Sequence, residues 1–357
     1  MVPRMAPTSG DRSGRDRRLI VGWLALVYLT IFGMVLIGGT TRLSGSGLSM
    51  VEWKPLMGTL PPMGEEAWQE TFDRYKDFPQ YQRVNDWMEL EDFKRIFFWE
   101  YLHRLMGRAI GLVFAVPWLF FLLRRKLGRR AAMRTFVAFA LGGLQGLLGW
   151  YMVRSGLVDR PEVSHYRLAA HLGLALLLAN YVLWLALDLA DRERSGTSRG
   201  GVPARDRVVR RVAWGLIALA AIQVTWGAFM AGTRAGFMFP TFPKLGADWL
   251  PAGTWALDPG WRNLLENPFT INVVHRVLGT ALLVAVPLWA WWSRQAATTV
   301  VRRHVLLFAV GVVAAQYMLG VAAVLTSIPV PLGVAHQGGG LVLLSSLLWA
   351  AFVFRER

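Results

Sequence analysis

Polar connections divide the chain into eight apolar stretches. Each stretch is long enough to cross the hydrocarbon core of a bilayer as an α-helix, which takes about 20 residues. The connections alternate between strongly basic ones and ones of mixed or acidic character, as loops on opposite sides of a membrane do. The pattern therefore predicts an all-α membrane protein, with spans expected near 19–39, 98–123, 135–153, 167–188, 212–231, 269–293, 304–326 and 335–354.

The overall composition supports a membrane protein. Of the 357 residues, 54% are hydrophobic and only 17% are charged, which is more apolar surface than a soluble chain could bury. The sequence contains no cysteine. This excludes disulfides, thiolate metal ligands and a thiol relay.

The formal charge of +16 would suit a nucleic-acid-binding protein if the basic residues formed one surface. Instead, 23 of the 39 Lys and Arg residues lie on one side of the predicted membrane. The positive-inside rule makes that side cytoplasmic, so we expect both termini in the cytoplasm, contact with the lipid membrane and no nucleic acid partner. The basic segments are 1–18, 124–134, 189–211, 294–303 and 355–357.

The two halves of the chain repeat four features in the same order, which indicates duplication of a four-helix unit. Because four helices return the chain to the same side, we expect two tandem four-helix bundles related by a pseudo-twofold axis along the membrane normal. The predicted parts are a cytoplasmic tail (1–18), an N-terminal half (19–188), a cytoplasmic linker (189–211) and a C-terminal half (212–357). The matched features are Thr41-Arg42 with Thr233-Arg234, His103-Arg104-x-x-Gly107 with His275-Arg276-x-x-Gly279, Gln145-x-x-x-Gly149 with Gln316-x-x-x-Gly320, and His171 with His336.

A long connection, 40–97, is expected on the outer side of the first half. It contains two amphipathic stretches, 65–75 and 88–97, and the rigid segments Trp53-Lys54-Pro55 and Pro61-Pro62. Connections of this length in compact proteins usually carry a function. We therefore interpret it as a lid or a partner surface.

Four of the six histidines lie near the outer ends of predicted helices, within the first five or so residues, and should share one depth. A single histidine inside a membrane is usually a hydrogen-bonded structural residue, but four in one layer indicate metal binding. Heme iron held by two axial imidazoles in each bundle fits best. No role is assigned to His165, expected in an outer loop, or to His304, at the cytoplasmic start of a helix. The four candidates are His103, His171, His275 and His336.

Small and charged residues beside the first histidine of each pair extend the heme hypothesis. Gly107 and Gly279 follow one turn later and would leave room for a flat macrocycle. Arg104 and Arg276 are candidates for pairing with heme propionates; the alternative is that their side chains extend to the membrane interface.

The two halves differ at Glu100, three residues before the first histidine, where the second half has Asn272. A carboxylate there is either a proton-transfer group or the counter-charge of Arg104 or Arg108, and we favour the former. The difference suggests that the first half carries out chemistry while the second holds a permanent cofactor.

A wider set of segments covers nearly the whole chain after residue 18. These segments are Gly38-Gly39-Thr40-Thr41-Arg42-Leu43-Ser44-Gly45-Ser46-Gly47-Leu48-Ser49, Val51-Glu52-Trp53-Lys54-Pro55, Gly58-Thr59-Leu60-Pro61-Pro62, Phe93-Lys94-Arg95-Ile96-Phe97, Glu100-Tyr101-x-His103-Arg104-x-x-Gly107-Arg108, Tyr166-Arg167-Leu168-x-x-His171-Leu172, His275-Arg276 and His336-Gln337. In order and spacing, the set resembles the heme A synthase family. The missing cysteines place it with the branch similar to mitochondrial and alphaproteobacterial enzymes.

The resemblance implies an oxidoreductase of the bacterial inner membrane that supplies terminal oxidase assembly. Such enzymes oxidise the C8 methyl group of heme O to the formyl group of heme A by successive hydroxylations, via a hydroxymethyl intermediate. The resemblance implies that His275 and His336 ligate a resident heme b, with Arg276 as a further cofactor-binding residue. Heme O is the expected substrate, and heme O synthase and an unidentified electron donor are expected partners; the sequence leaves a homo-oligomer open.

The resemblance also assigns the substrate site to the first half. His103 and His171 would face the iron of heme O, and with Glu100 near the reacting methyl group they form the expected catalytic set. Arg104 and Arg108 are the remaining expected substrate-binding residues.

Two other classes of membrane protein compete with this interpretation. A diheme b-type electron carrier, such as a quinone–cytochrome shuttle, generally places its hemes at two depths, whereas one layer of histidines is expected here. A metal transporter with four histidine ligands should show polar residues through the middle of several helices, and this chain has few.

Overall fold

The structure, a computed structural model, describes residues 9–51, 60–156, 162–191 and 204–355. Within these ranges, eight helices are long and apolar enough to cross a membrane. This confirms the predicted number of spans and the all-α class. The helices are α1 (Ser9–Leu43), α2 (Glu65–Lys76), α3 (Leu90–Leu123), α4 (Arg129–Gly156), α5 (His165–Asp191), α6 (Ala204–Gly232), α7 (Arg262–Glu266), α8 (Pro268–Ser293), α9 (Val300–Leu325) and α10 (Val330–Val353), of which α2 and the short α7 are not membrane spans.

Several membrane helices begin earlier than their apolar stretches. α3 starts at Leu90 rather than near residue 98, because Glu89 and Asp92 form a capping box with the backbone of its first turn. α10 starts at Val330, directly after Pro329. The expectation that each histidine lies in the first five or so residues of its helix is therefore wrong. In α3 and α5, polar and amphipathic turns extend the helix beyond its apolar stretch, where an apolar pattern no longer marks it.

The outer connection of the first half is a folded unit. Its first amphipathic stretch forms α2, and the second forms the beginning of α3. Phe72 and Tyr75 of α2 each stack on Phe93 of α3 with ring centroids 5.1 Å apart. Asn85 donates a hydrogen bond of 2.7 Å to the Tyr75 hydroxyl, and burial raises the pKa of Tyr75 to about 12. The Trp53-Lys54-Pro55 segment lies outside the described residues.

The membrane helices form two rings of four. In the first, α1 contacts α3, α3 contacts α4, α4 contacts α5, and α5 closes the ring against α1. The second ring runs in the same way through α6, α8, α9 and α10. Between the rings, α1 packs on α10, α6 packs on α5, and α5 packs on α10. Exchanging the halves converts the first of these contacts into the second and leaves the third unchanged, which is the pattern of a twofold axis along the membrane normal.

A polar network lies at the junction of the two rings. The hydroxyl of Tyr28 on α1 is 2.8 Å from the Ser345 hydroxyl on α10, which in turn lies 3.1 Å from the side-chain carbonyl oxygen of Asn180 on α5. Such bonds hold membrane helices in register where the surroundings offer no water.

Ion pairs join the halves again near the predicted linker. Arg355, just after α10, bonds to Asp188 at 2.6 Å and to Asp191 at 3.0 Å, and Arg134 of α4 bonds to Asp188 at 2.6 Å. Residues 192–203 of the linker lie outside the described part of the chain. The division into two domains at this linker stays a prediction.

Candidate functional site

The four candidate histidines come together as two pairs. His103 on α3 lies close enough to His171 on α5 for an electrostatic interaction. The rings of His275 on α8 and His336 on α10 have centroids 6.3 Å apart. In each ring of helices the two helices that carry a pair stand at opposite corners. Each pair therefore spans the interior of one bundle.

All four imidazoles lie deep in the protein, yet each retains a partly accessible surface. A side chain that is surrounded on nearly all sides and still accessible faces a space between helices. That is the arrangement expected of a ligand that projects into a cofactor site within a bundle.

A glycine of a neighbouring helix lies against each of the four imidazoles. A Cβ atom on Gly38 of α1 would stand 3.1 Å from Cε1 of His103, and the equivalent distance from Gly149 of α4 to His171 is 3.0 Å. In the second half the distances are 3.1 Å from Gly227 of α6 to His275 and 2.8 Å from Gly320 of α9 to His336. Any side chain at these positions would push the ring away. The four glycines fix how far each imidazole can withdraw from the bundle interior.

These contacts also correct one of the matches between the halves. Gly38 and Gly227 are structurally equivalent because each supports the first histidine of its half. That register does not align Thr41-Arg42 with Thr233-Arg234. Arg42 lies in the last turn of α1, whereas Arg234 follows the end of α6 in a left-handed conformation with φ of 55°. The shared dipeptide is not at equivalent sites.

Three of the four supporting glycines are preceded, four residues earlier, by a glutamine that reaches the facing histidine. Nε2 of Gln145 donates to the backbone carbonyl of His171 at 3.0 Å and lies 3.4 Å from its ring nitrogen. Nε2 of Gln316 donates to the His336 carbonyl at 2.8 Å. Sequence comparison of the halves identified only these two, and the third, Gln223 of α6, completes a recurring Gln-x-x-x-Gly motif.

Gln223 lies beside the ring of His275, with its Nε2 atom 3.4 Å from the ring Nε2 atom. The same amide would be 3.1 Å from a Cβ atom on Gly279. In the first half the corresponding residue is Met34, whose terminal methyl would be 3.6 Å from a Cβ atom on Gly107. Both glycines that were expected to leave room for a macrocycle are thus approached by a side chain from α1 or α6.

The second pair has the geometry of two axial ligands on one metal. An imidazole nitrogen binds a metal at about 2 Å, so two rings on opposite sides of one ion have centroids roughly 6 Å apart. The distance between His275 and His336 agrees with this. Nδ1 of His336 lies 3.2 Å from the Gln316 carbonyl oxygen, and a proton on that nitrogen would leave the lone pair of Nε2 available to a metal.

The histidines form pairs and not a larger cluster. In the described ranges no three His, Cys, Asp or Glu side chains come together. A two-imidazole site suits an ion whose other ligands come from a macrocycle, as in heme. The four-histidine metal transporter is therefore disfavoured by the described residues.

Glu100 is buried one turn before His103, and its carboxylate accepts hydrogen bonds from three donors. Its carboxylate accepts hydrogen bonds of 2.8 Å from the Ser49 hydroxyl and from the Met50 backbone amide. It also forms an ion pair with Arg104 at 2.5 Å, and Arg104 donates to the Met50 carbonyl at 2.7 Å. Of the two roles considered for Glu100, these contacts favour the counter-charge of Arg104 over the proton-transfer group that the sequence led us to prefer.

In the second half Asn272 takes the place of Glu100, so the partner of the arginine is uncharged. Arg276 donates through Nε to the Asn272 side-chain oxygen at 2.8 Å. Its other two nitrogens donate to backbone carbonyls of the outer connection between α6 and α8, at Thr241, Pro243, Lys244 and Phe239. In this structure both arginines of the repeat, Arg104 and Arg276, bind backbone segments of a connection to the helix that carries the first histidine.

His165 and Arg108 lie on the two helices that carry the first histidine pair. His165 is the first residue of α5 and not part of a loop, because α5 begins earlier than its apolar stretch. Its Nε2 donates to the Leu265 carbonyl at 2.8 Å, so it joins the halves on their outer side. Arg108 is partly buried on α3, one turn beyond Arg104, and His304 lies in the first turns of α9.

Residues 21–348 match a family model described as cytochrome oxidase assembly protein. The chain belongs to this family. Among its relatives, the heme A synthase of Parvibaculum lavamentivorans is 42% identical over 95% of this chain and 95% of its own length. The heme A synthase of Rhodospirillum centenum is 42% identical over 98% and 92%, and that of Nitrosospira multiformis is 40% identical over 98% and 98%. These members of the cytochrome oxidase assembly family match this chain along nearly all of its length, so the resemblance inferred from the motifs is confirmed.

Proposed function

We propose that this protein is a heme A synthase, which oxidises the C8 methyl group of heme O to the formyl group of heme A for the assembly of terminal oxidases. Family membership and the names of the relatives support this function. The observation that carries it is the pair of bundles with one histidine pair each and different neighbours around each pair. Two similar sites with unequal surroundings suit an enzyme that keeps one heme and transforms another.

The second pair is the proposed site of a resident heme b. His275 and His336 would hold the iron, since their separation suits two axial ligands. Glutamine side chains contact both histidines, so the pair is well restrained. When bound, the heme supplies one-electron transfer, which the polypeptide cannot provide.

The first pair is the proposed site of the substrate heme O. His103 and His171 would face its iron, and Gly107, one turn after His103, leaves α3 without a side chain beside the macrocycle. Arg108, one turn beyond Arg104, is the proposed partner of a heme carboxylate. Glu100 is the proposed positioning residue of this site.

The contacts around Glu100 suggest how the first site is closed. Glu100 and Arg104 together bind the backbone and side chain of the Ser49–Met50 segment, which begins the long outer connection. A carboxylate that accepts hydrogen bonds from three donors is held in place. The two residues therefore keep the outer connection over the first histidine pair, where it would exclude water from the oxidised methyl group.

In the second half Arg276 holds the connection between α6 and α8 against α8, and all of its recipients are carbonyl oxygens rather than a carboxylate. Its role as a direct ligand of a heme propionate stays a prediction, and in this structure its three nitrogens bind Asn272 and the outer backbone.

The proposed location is the bacterial inner membrane. Eight spans would put the end of α1 and the start of α10 on one side of the membrane, and the basic connections near 124–134 and 294–303 support a cytoplasmic position for the opposite side. Heme O synthase is the proposed supplier of the substrate, and an electron donor is required.

Pigment extraction tests this function. The full chain is expressed in cells with and without a heme O supply, and the extracted hemes are identified by mass. The expected result is heme b in both preparations and heme A only when heme O is available. Heme b alone in both preparations, with reversible oxidation and reduction, would instead indicate an electron carrier.

A further inference from the structure

Met34 occupies the position at which the three other supporting helices carry glutamine. It lies four residues before Gly38, as Gln223 lies four residues before Gly227. Both glycines support the first histidine of their half. Met34 and Gln223 also approach equivalent glycines one turn after those histidines, Gly107 and Gly279. The two side chains therefore fill the same space in the two bundles.

Methionine at this position in place of glutamine removes a hydrogen-bond donor but leaves the size and shape of the side chain nearly the same. Methionine and glutamine are both unbranched side chains of similar length, so either can fill this gap. A glutamine amide donates hydrogen bonds, whereas a thioether is at best a weak acceptor. The other three histidines each have an amide within 3.4 Å of the ring or the backbone carbonyl.

His103 lacks this restraint from its neighbouring helix. Its Nδ1 atom is buried without a hydrogen-bond partner among the described residues, as are those of His171 and His275, so what sets His103 apart is the missing glutamine amide. Gly38 of α1 lies against its ring as a packing contact and not as a hydrogen bond. Packing limits how far the ring withdraws but does not select its rotation as a directed hydrogen bond does.

We propose that Met34 makes His103 the exchangeable ligand of the first pair, so that this site releases its macrocycle while the second pair retains one. The inference rests on the proposed function, since a substrate must leave after oxidation and a resident cofactor must stay. Groups that orient metal-binding histidines typically change metal affinity by about 10-fold to 100-fold. A glutamine amide in place of the methionine thioether can therefore change heme affinity enough to separate a site that exchanges its heme from one that retains it.

Heme transfer to an excess of apomyoglobin tests the proposal. The detergent-solubilised full chain is loaded with heme b as the probe, and its loss is followed by absorption. Two phases are expected, and the phase that His103→Ala removes belongs to the first pair. Met34→Gln should slow this phase by about 10-fold to 100-fold and shift its heme spectrum, while the matched apolar variant Met34→Leu should leave both unchanged.

The reciprocal variant provides an independent arm. Gln223→Met should accelerate the slow phase that belongs to the second pair, without affecting the fast one. If Met34→Gln does not fold, this arm alone decides. Equal release rates for Met34→Gln and Met34→Leu, or an unchanged slow phase in Gln223→Met, would overturn the proposal. A wild-type protein that binds no heme would contradict the proposed function itself, and this outcome differs from those that contradict only the role of Met34.

Discussion

The two bundles share their framework and differ in the polarity around it. In both, two histidines face each other from opposite corners and each ring rests on a glycine. The first bundle has Glu100 where the second has Asn272, and Met34 where the second has Gln223. The comparison teaches that the histidine geometry came with the repeat, while charge and hydrogen bonding at a few positions distinguish the proposed substrate site from the proposed site of a resident heme.

Removing a histidine should separate the halves most strongly. We expect His275→Ala and His336→Ala to lose the resident heme and its absorption completely, because one imidazole cannot replace two axial ligands. His103→Ala and His171→Ala should retain that spectrum and form no heme A. His304→Ala is the control, and it should behave as wild type. An unchanged resident spectrum in His275→Ala would refute the ligand assignment.

The supporting glycines offer a finer comparison. Gly320→Ala places a methyl group 2.8 Å from Cε1 of His336, so the ring must move and heme occupancy of the second pair should fall by about 10-fold or more. Gly311→Ala on the same helix meets no atom within 4 Å and should bind heme normally. Occupancy is measured as heme per polypeptide after purification. If both variants lost the same amount of heme, the cause would be a general disturbance of α9 and not the displacement of the His336 ring.

The charge difference can be removed by Glu100→Gln. Breaking an ion pair that is almost fully buried removes the negative charge beside Arg104, which costs about 3 kcal/mol. We expect a lower thermal midpoint and a loss of heme A formation, with the resident heme retained. Glu91→Gln alters an exposed pair with Lys94 and should be nearly neutral. Full turnover by Glu100→Gln would count against any role of the carboxylate in the reaction.

The smallest effect is expected from Ser49→Ala. This change removes one hydrogen bond to the Glu100 carboxylate and should cost about 1.5 kcal/mol, seen as weaker heme O binding with normal heme b content. Thr71→Ala, which removes a bond within α2 only, is the matched control. If both variants lower the content of the two hemes equally, the outer connection stabilises the whole protein and not the first site.

Much of this architecture is readable from the sequence. The eight spans follow from apolar runs, and the repeat of His-Arg-x-x-Gly locates both first histidines, because helix periodicity and motif spacing are local properties. Helix starts such as Leu90 were not predicted, since capping and amphipathic turns carry no apolar signal. The partners of Arg104 and Arg276 also could not be predicted, because they are backbone carbonyls of irregular segments whose path depends on the folded protein.

Met34 and Gln223 show a different limit. The Gln-x-x-x-Gly pattern was visible in two helices, and a search for it elsewhere would have found Gln223-x-x-x-Gly227 as well. The methionine that breaks the pattern gains meaning only when Gly38 is seen against His103. A departure from a repeat is informative once structure shows which positions correspond.

The contact between α5 and α10 has one more consequence. Each of these helices contributes one histidine to its own pair, and the two helices pack directly on each other across the axis. If α5 and α10 slid along each other as rigid bodies, one histidine of each pair, His171 or His336, would move at the same time. Occupancy in one bundle and affinity in the other would then be thermodynamically linked, and the linkage would have to be equal in both directions.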